Sequence, residues 1–342
     1  MRFTFPILTL CIGGAQRVLA EVTNGLVNMG HDVTILMPTQ GEVEYPVRAR
    51  IVRTPDSVIH AEDYPDADVI VSNYYTTVPS AAAASANGKG VHVRFPLCYE
   101  PTFLPDNHIT FDSYHLTDKF IVLSRWQQQI LQLNHGIEAR IAPVGVSDVF
   151  HNDHRREHHS TTHVTAIVRH AEGTWSWHRQ QPYLVRELER VCQERPDTVI
   201  NLICPRKELD LSSTLQHLRD QGRFRFHSPE TDEELCSVYN DTDIFVSASV
   251  YDSASMPGLE AMKCGAAVVT TYSGGNADYC RHMENCLLSY RYEERLAHDV
   301  ITLIDDSRLR RQLAQAGEHE AQKWTWQRTV EQFHSAILHF LG

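Results

Sequence analysis

VYNDTDIFVSASVYDSASMPGLEAMKCGAAVVTTYSGG, residues 238–275, decides the fold of this 342-residue chain. Ile244-Phe245-Val246 and Ala266-Ala267-Val268-Val269 are short apolar runs, the length of strands buried on both faces. Between them Asp252 to Pro257 is small and polar, and Gly258-Leu259-Glu260-Ala261-Met262-Lys263 resumes with helix formers until Cys264-Gly265 stops it. Strand, loop, helix and strand make a βαβ unit, and such units build parallel sheets. Ligands of such sheets sit at the carboxyl ends of the strands. The loop from Asp252 lies there, and the helix beyond it turns free N–H groups and its positive dipole end to the same place. That geometry accepts an anion, most simply a phosphate. Glu260 can reach past the phosphate to hydroxyl groups; the plainer reading is an acid serving the first helical turn.

Asp252, seven intervening residues, Glu260 and then Ala261-Met262-x-Cys264-Gly265 resemble the E-x7-E signature of retaining glycosyltransferases with the GT-B fold, notably glycosyltransferase family 4. The resemblance implies that Glu260 holds the donor ribose and that the acid at 252 contacts the donor sugar. Position 252 departs from the family by carrying Asp, shorter than Glu by about one methylene.

Outward from this stretch, the length favours two domains. A composition of 42% apolar and 22% charged residues is that of an ordinary globular protein. The sequence has no run of about eighteen apolar residues, the length that crosses a membrane. The start, MRFTFPILTLCIGGAQR, has one early basic residue and flows into a patterned helix, so it reads as a first strand rather than a signal peptide. Eight cysteines stand singly with no C-x-x-C pair, which suits a reduced cytosolic compartment rather than a disulfide frame or a zinc site. A net charge of −12 argues against nucleic-acid binding, although it leaves room for local basic patches.

In chain order, Arg2 to Ile12 reads as a strand and Gly13-Gly14 as a tight turn. Ala15 to Met29 reads as a helix with Val18, Leu19, Val22, Leu26 and Met29 on one face, and His31 to Leu36 as a second strand. The glycines lack the G-x-G-x-x-G spacing, so a dinucleotide site is poorly supported. Residues 13–36 resemble instead the opening of family 4 enzymes, where paired glycines face the donor phosphates. Strands follow at 67–72, 91–97 and 120–124, with helices at 80–86 and 125–134. The loop CYEPTFLPD, 98–106, follows the strand at 91–97. The resemblance places an acceptor there and offers Tyr99 and Glu100 where relatives carry a histidine; His92 reads as an incidental strand residue.

Ala142-Pro143-Val144-Gly145-Val146 resembles the family's turn between domains, and HNDHRREHHSTTH after it reads as a solvated linker rather than a metal site. Arg169, after the strand 164–168, resembles the family arginine that holds the diphosphate. The lysine of relatives is missing from RHAEGTWSWHRQQ, leaving Arg179 or His178 to substitute, while Trp175 and Trp177 read as covering core surface. Gly274-Gly275 with Asp278, Asn285 and Trp324-Thr325-Trp326 continue the resemblance to the end of the chain.

The implied organisation is α/β, a GT-B architecture of two Rossmann-like domains facing a central cleft. Residues 1–146 form the acceptor-side domain with the helix 325–342 returning to it; 147–163 form a linker, and 164–324 a donor domain. The implied activity is transfer of a sugar from a nucleoside diphosphate-sugar, most simply a UDP-sugar, to a hydroxyl of a polysaccharide, glycolipid or small-molecule glycoside. Asp252 and Arg169 would act at the reacting centre. Gly13, Gly14, Arg169, Arg179, Ser253, Ala254, Ser255, Met256 and Glu260 would hold the donor. No metal or other cofactor is called for, the location is cytoplasmic, and peripheral contact with the membrane's inner face stays open. The competing readings are a catalytically silent sugar-nucleotide binder and a sugar-nucleotide epimerase of the same fold.

Overall fold

The computed structural model describes residues 1–158 and 161–342. The chain divides into one unit of Met1–Gly145 with Thr325–Gly342, and a second of Val146–Trp324.

The first unit runs β1 (Arg2–Pro6), α1 (Gly14–Asn28), β2 (Asp32–Pro38), β3 (Arg50–Thr54), β4 (Val69–Ser72), α2 (Val78–Ala86) and β5 (Val91–Arg94). It continues through the short α3 (Glu100–Phe103) and α4 (Asn107–Asp112), then β6 (Ile121–Val122), α5 (Arg125–His135) and β7 (Arg140–Ile141). Its main sheet is parallel in the order β3-β2-β1-β4-β5, so the strand order reverses beside β1. The first strand is shorter than its apolar run implied: Pro6 lacks a ladder donor, and beyond it the Ile7 N–H still donates to the Leu36 carbonyl at 2.9 Å before an isolated bridge of Leu10 to Val43. The sequence reading missed β3 because its RIVRT carries arginines, the charged dress of an edge strand. The segment 98–106, expected as an ordered loop, contains a helical turn at Glu100–Phe103 with Pro101 at its opening, and a second short helix, Asn107–Asp112, follows it.

The second unit runs β8 (His163–Ile167), α6 (Gln181–Glu194), β9 (Val199–Ile203), α7 (Arg206–Leu211), α8 (Ser213–Asp220), β10 (Arg225–His227) and α9 (Asp232–Asn240). Then come β11 (Ile244–Ser247), α10 (Met256–Lys263), β12 (Ala267–Thr271), β13 (Leu287–Ser289), α11 (Leu296–Asp305) and α12 (Ser307–Ala321). Six parallel strands in the order β10-β9-β8-β11-β12-β13 reverse between β8 and β11. Ile244 lies between Val164 and Ala267 in register, and all three are fully buried, as strands covered on both faces require. Each unit is thus a Rossmann-like α/β layer structure.

The segment expected as a solvated linker is bonded into the second unit. Asn152 donates to Glu318 at 2.9 Å, Asn240 accepts from the Asp153 N–H at 2.9 Å, and Arg156 donates to the carbonyls of Tyr239 and Cys264. Residues 159 and 160 of that segment lie outside the described residues. Among the described residues no three His, Cys, Asp or Glu come together as metal ligands, and no helix is long and apolar enough to cross a membrane.

The last helix, α13 (Trp326–Leu341), belongs to the first unit. Phe333 is fully buried with its ring 6.2 Å from Phe5 and 5.2 Å from Phe95, and Thr329 donates to the Pro143 carbonyl at 2.7 Å. Gly25 of α1 permits the approach, since a Cβ there would lie 2.2 Å from a Val330 methyl.

His92, buried in β5, shares a 2.8 Å hydrogen bond with the Ser72 hydroxyl. Burial, helped by the Arg94 charge, pushes its pKa down to about 4 from an ordinary 6.5. The neutral ring is the folded form, so its contribution is complete above about pH 6.5 and is lost as pH falls toward about 4, at most about 3 kcal/mol. Melting temperature should therefore fall through that window, and less steeply in His92→Gln. Equal slopes in the two proteins would refute the assignment.

Candidate functional site

The site is assembled at the carboxyl ends of β8, β11 and β12. The Asp252 N–H donates to the Ser273 carbonyl at 2.7 Å and the Gly275 N–H to the Asp252 carbonyl at 2.8 Å, so the loop after β11 is laced to the loop after β12. The Asp252 carboxylate accepts the N–H groups of Ala254 at 3.1 Å and Ser255 at 2.9 Å. This Asx turn delivers Ser255 in a left-handed conformation, φ 56°, at the start of α10. Tyr279 fixes the same residue by donating to its carbonyl at 2.7 Å. The lacing is tight: a Cβ on Gly275 would lie 2.1 Å from the Ser253 carbonyl oxygen.

No side chain caps α10, so its opening N–H groups and positive dipole end remain directed at the strand ends. The expected donors at residues 253–256 need correction in one respect. The N–H groups of Ala254 and Ser255 are engaged by Asp252 and build the turn, which leaves the opening N–H groups of α10 itself without a side-chain cap. Ser253 is buried, and Met256 opens the helix.

Arg169 and Arg179 fare differently. Arg169 grips Glu208 with two nitrogens, its Nε lying 2.8 Å from each carboxylate oxygen, and the His170 N–H adds a third donor at 2.8 Å. Burial works against ionisation of Glu208, but these bonds and the charges of Arg169 and Arg179 hold its carboxyl below the usual range. Arg169 is thus committed to a partner that the sequence reading overlooked. Glu208 follows β9, another strand end, and that position was its available signal. Arg179 lines the pocket at the switch point with Ser249, Asp252, Ser255 and Pro257, and no described residue takes a hydrogen bond or ion pair from it. Burial and the neighbouring Arg169 charge lower its pKa, opposed by Asp252 and Glu208, and an arginine under that pressure still carries its proton. His178 is pushed down to about 4 by burial and by the Arg179 charge. Of the described residues lining the pocket, Arg179 carries the one positive charge and Asp252 the one negative charge.

Glu260 lies partly buried in the second turn of α10 and accepts from the Tyr239 hydroxyl at 3.2 Å. Burial, then the Glu260 charge, drives the Tyr239 pKa well up, so the phenol keeps its proton and donates. Tyr239 was also missed, since nothing in α9 marks one tyrosine as the neighbour of a carboxylate in α10.

In the same unit, Trp175 and Trp177, expected against the core, are 59% and 43% exposed. A tight 3-10 turn over Thr174–Arg179 leaves their indoles outward.

In the first unit, Gly13 and Gly14 open α1, which likewise lacks a capping side chain. The Gly13 N–H donates to the Tyr45 hydroxyl at 3.1 Å, and the Ile12 N–H to the Glu44 carboxylate at 2.7 Å, so a carboxylate already stands next to the turn. Tyr99 and Glu100, expected on a loop over an acceptor cleft, are both buried. Glu100 is 1% exposed, ion-paired with a fully buried Arg94, and accepts the Tyr75 N–H at 2.7 Å. Tyr99 is buried with its hydroxyl 3.0 Å from His135 Nε2.

Residues 173–320 match the family of glycosyl transferases group 1. The D-inositol 3-phosphate glycosyltransferase of Arthrobacter sp. (strain FB24) is 28% identical over 164 residues, 45% of this chain and 39% of that protein. The matched region therefore spans well under half the length of such relatives. Two solved structures share the fold over nearly the whole chain. Sucrose-phosphate synthase from Thermosynechococcus elongatus superposes with a TM-score of 0.81 at 14% identity, covering 99% of each chain. Anabaena HepE in complex with UDP and glucose gives 0.80 at 16% identity, covering 98% of this chain and 99% of its own.

Proposed function

We propose, on the premise that residues 173–320 belong to the glycosyl transferases group 1, that this chain transfers a sugar from a nucleoside diphosphate donor to a hydroxyl acceptor with retention at the anomeric carbon. The observation that carries the reading is Arg179, a cation without a described partner, set beside the uncapped start of α10 with Glu260 one turn further on. The diphosphate pairs with the Arg179 guanidinium. Arg179 offers it a planar fork of donors and α10 offers N–H groups already aimed. As the sugar–phosphate bond breaks, negative charge grows on the leaving diphosphate, and donors fixed beforehand stabilise it most at that moment. Arg169, held by Glu208, adds charge from one step behind. These cations carry the charge without a metal. Glu260 accepts from the ribose hydroxyls, and Asp252 sets the loop that presents the sugar.

A UDP-sugar is the donor this reading favours, supported by the UDP and glucose bound to HepE. The acceptor is a hydroxyl of a carbohydrate or glycolipid. Thermal-shift screening against nucleoside diphosphate sugars tests the reading. At one hundred times Kd a true donor contributes about 2.7 kcal/mol, a rise on the order of 5–10 °C. A panel of UDP-, GDP- and ADP-sugars that leaves the midpoint where it was refutes it.

A further inference from the structure

The two exposed tryptophans sit on a loop that is held, not loose. The Ser176 hydroxyl donates to the carbonyls of His170 at 2.6 Å and Gly173 at 3.1 Å. The Trp177 carbonyl accepts from the backbone and side chain of Gln180, at 3.3 and 3.2 Å. The Val250 N–H donates to the His178 carbonyl at 2.9 Å, which fastens the loop to the end of β11 one residue before Tyr251. Trp177 then stands with its ring 6.0 Å from that of Tyr251, the planes inclined at 41°. Tyr251 is buried and Trp177 is 43% exposed, so one ring supports the other. A pinned loop thus leaves part of the Trp177 indole in water next to the segment that carries Asp252.

We propose that Trp177, backed by Tyr251, is a specificity-determining residue against which the transferred sugar of the donor packs. The proposal rests on the nucleoside diphosphate reading. A diphosphate has two ends. With the ribose end at Glu260 inside α10, the sugar end falls toward Asp252, the residue after Tyr251. A pyranose turns a face of C–H groups, slightly positive, toward the negative face of an aromatic ring while its hydroxyls point outward from the rim. Arg179 and Asp252 line the adjoining pocket and supply the polar partners for that rim.

Calorimetric titration of wild type, Trp177→Ala and Trp177→Phe with UDP and with UDP-glucose tests this. UDP lacks the sugar, so its Kd should agree within about two-fold among the three proteins. For UDP-glucose, Trp177→Ala should weaken binding about ten-fold and Trp177→Phe should recover most of the loss. Equal weakening toward both ligands would mean that the ring serves the nucleoside or the loop, and would overturn the proposal. So would an alanine variant that binds both like wild type. A wild type that binds neither probe marks the failure of the donor reading, and takes this proposal with it.

Discussion

Glu260→Ala should abolish the thermal stabilisation that a donor sugar nucleotide gives, with Kd rising about 100-fold. In the proposed donor site the carboxylate accepts from two ribose hydroxyls, and hydrogen bonds to a charged group contribute roughly 1.5–3 kcal/mol each. Two at the low end make about 3 kcal/mol, which is two decades in Kd. Truncation has a second effect, because the buried Tyr239 hydroxyl loses its acceptor and the empty protein itself loses about 1–3 kcal/mol. Glu260→Gln separates the two. Its amide oxygen can still accept from Tyr239, so the ligand-free midpoint should return near wild type while donor binding stays at least ten-fold weak. If the alanine variant kept the full donor-induced shift, the ribose assignment would be wrong.

The largest loss of stability should come from the first unit, at Glu100→Ala. Arg94 has no solvent exposure and Glu100 has 1%, and the guanidinium also donates to Ser113 at 2.8 Å and lies 3.9 Å over the Tyr114 ring. Removing the carboxylate leaves a buried cation without its counter-charge, a change that destabilises by about 3–5 kcal/mol. The Tyr75 N–H loses its acceptor as well. Urea denaturation measures the difference, and the midpoint should drop steeply. The double variant Arg94→Leu with Glu100→Leu should recover much of it, because a pair replaced by apolar groups leaves no orphaned charge. A loss under about 1 kcal/mol for Glu100→Ala would show that water reaches the pair.

These two acids also show what the sequence could and could not convey. The place of Glu260 on a helix after a buried strand was legible, because a helix begun by Met256-Pro257 there starts at the strand's carboxyl end. Its position follows from the period of the helix and the topology of the sheet. Glu100 was misjudged because proline and aromatic residues after a strand suit an open loop and a packed helical turn equally, and the deciding fact is Arg94, six residues earlier and pointing inward. The same holds for Arg169 and Arg179. Both follow β8 within one segment, and only the placement of Glu208 after a different strand shows which is occupied. Local pattern carries strands and helix starts; pairings between distant side chains wait on the packed structure. The tryptophans failed for the opposite reason, since apolar residues are presumed inside and only the turn geometry sets them outward.

The return of α13 to the first unit has a consequence for how the protein is made. The second unit is one unbroken stretch, Val146–Trp324, and can close its core as soon as Trp324 leaves the ribosome. Phe5 and Phe95, translated long before, have no Phe333 to meet until the segment after Trp324 has been made. Part of the first unit's core is therefore supplied only after the whole second unit has been synthesised, so the N-terminal sheet cannot be completed in the order in which its strands are made.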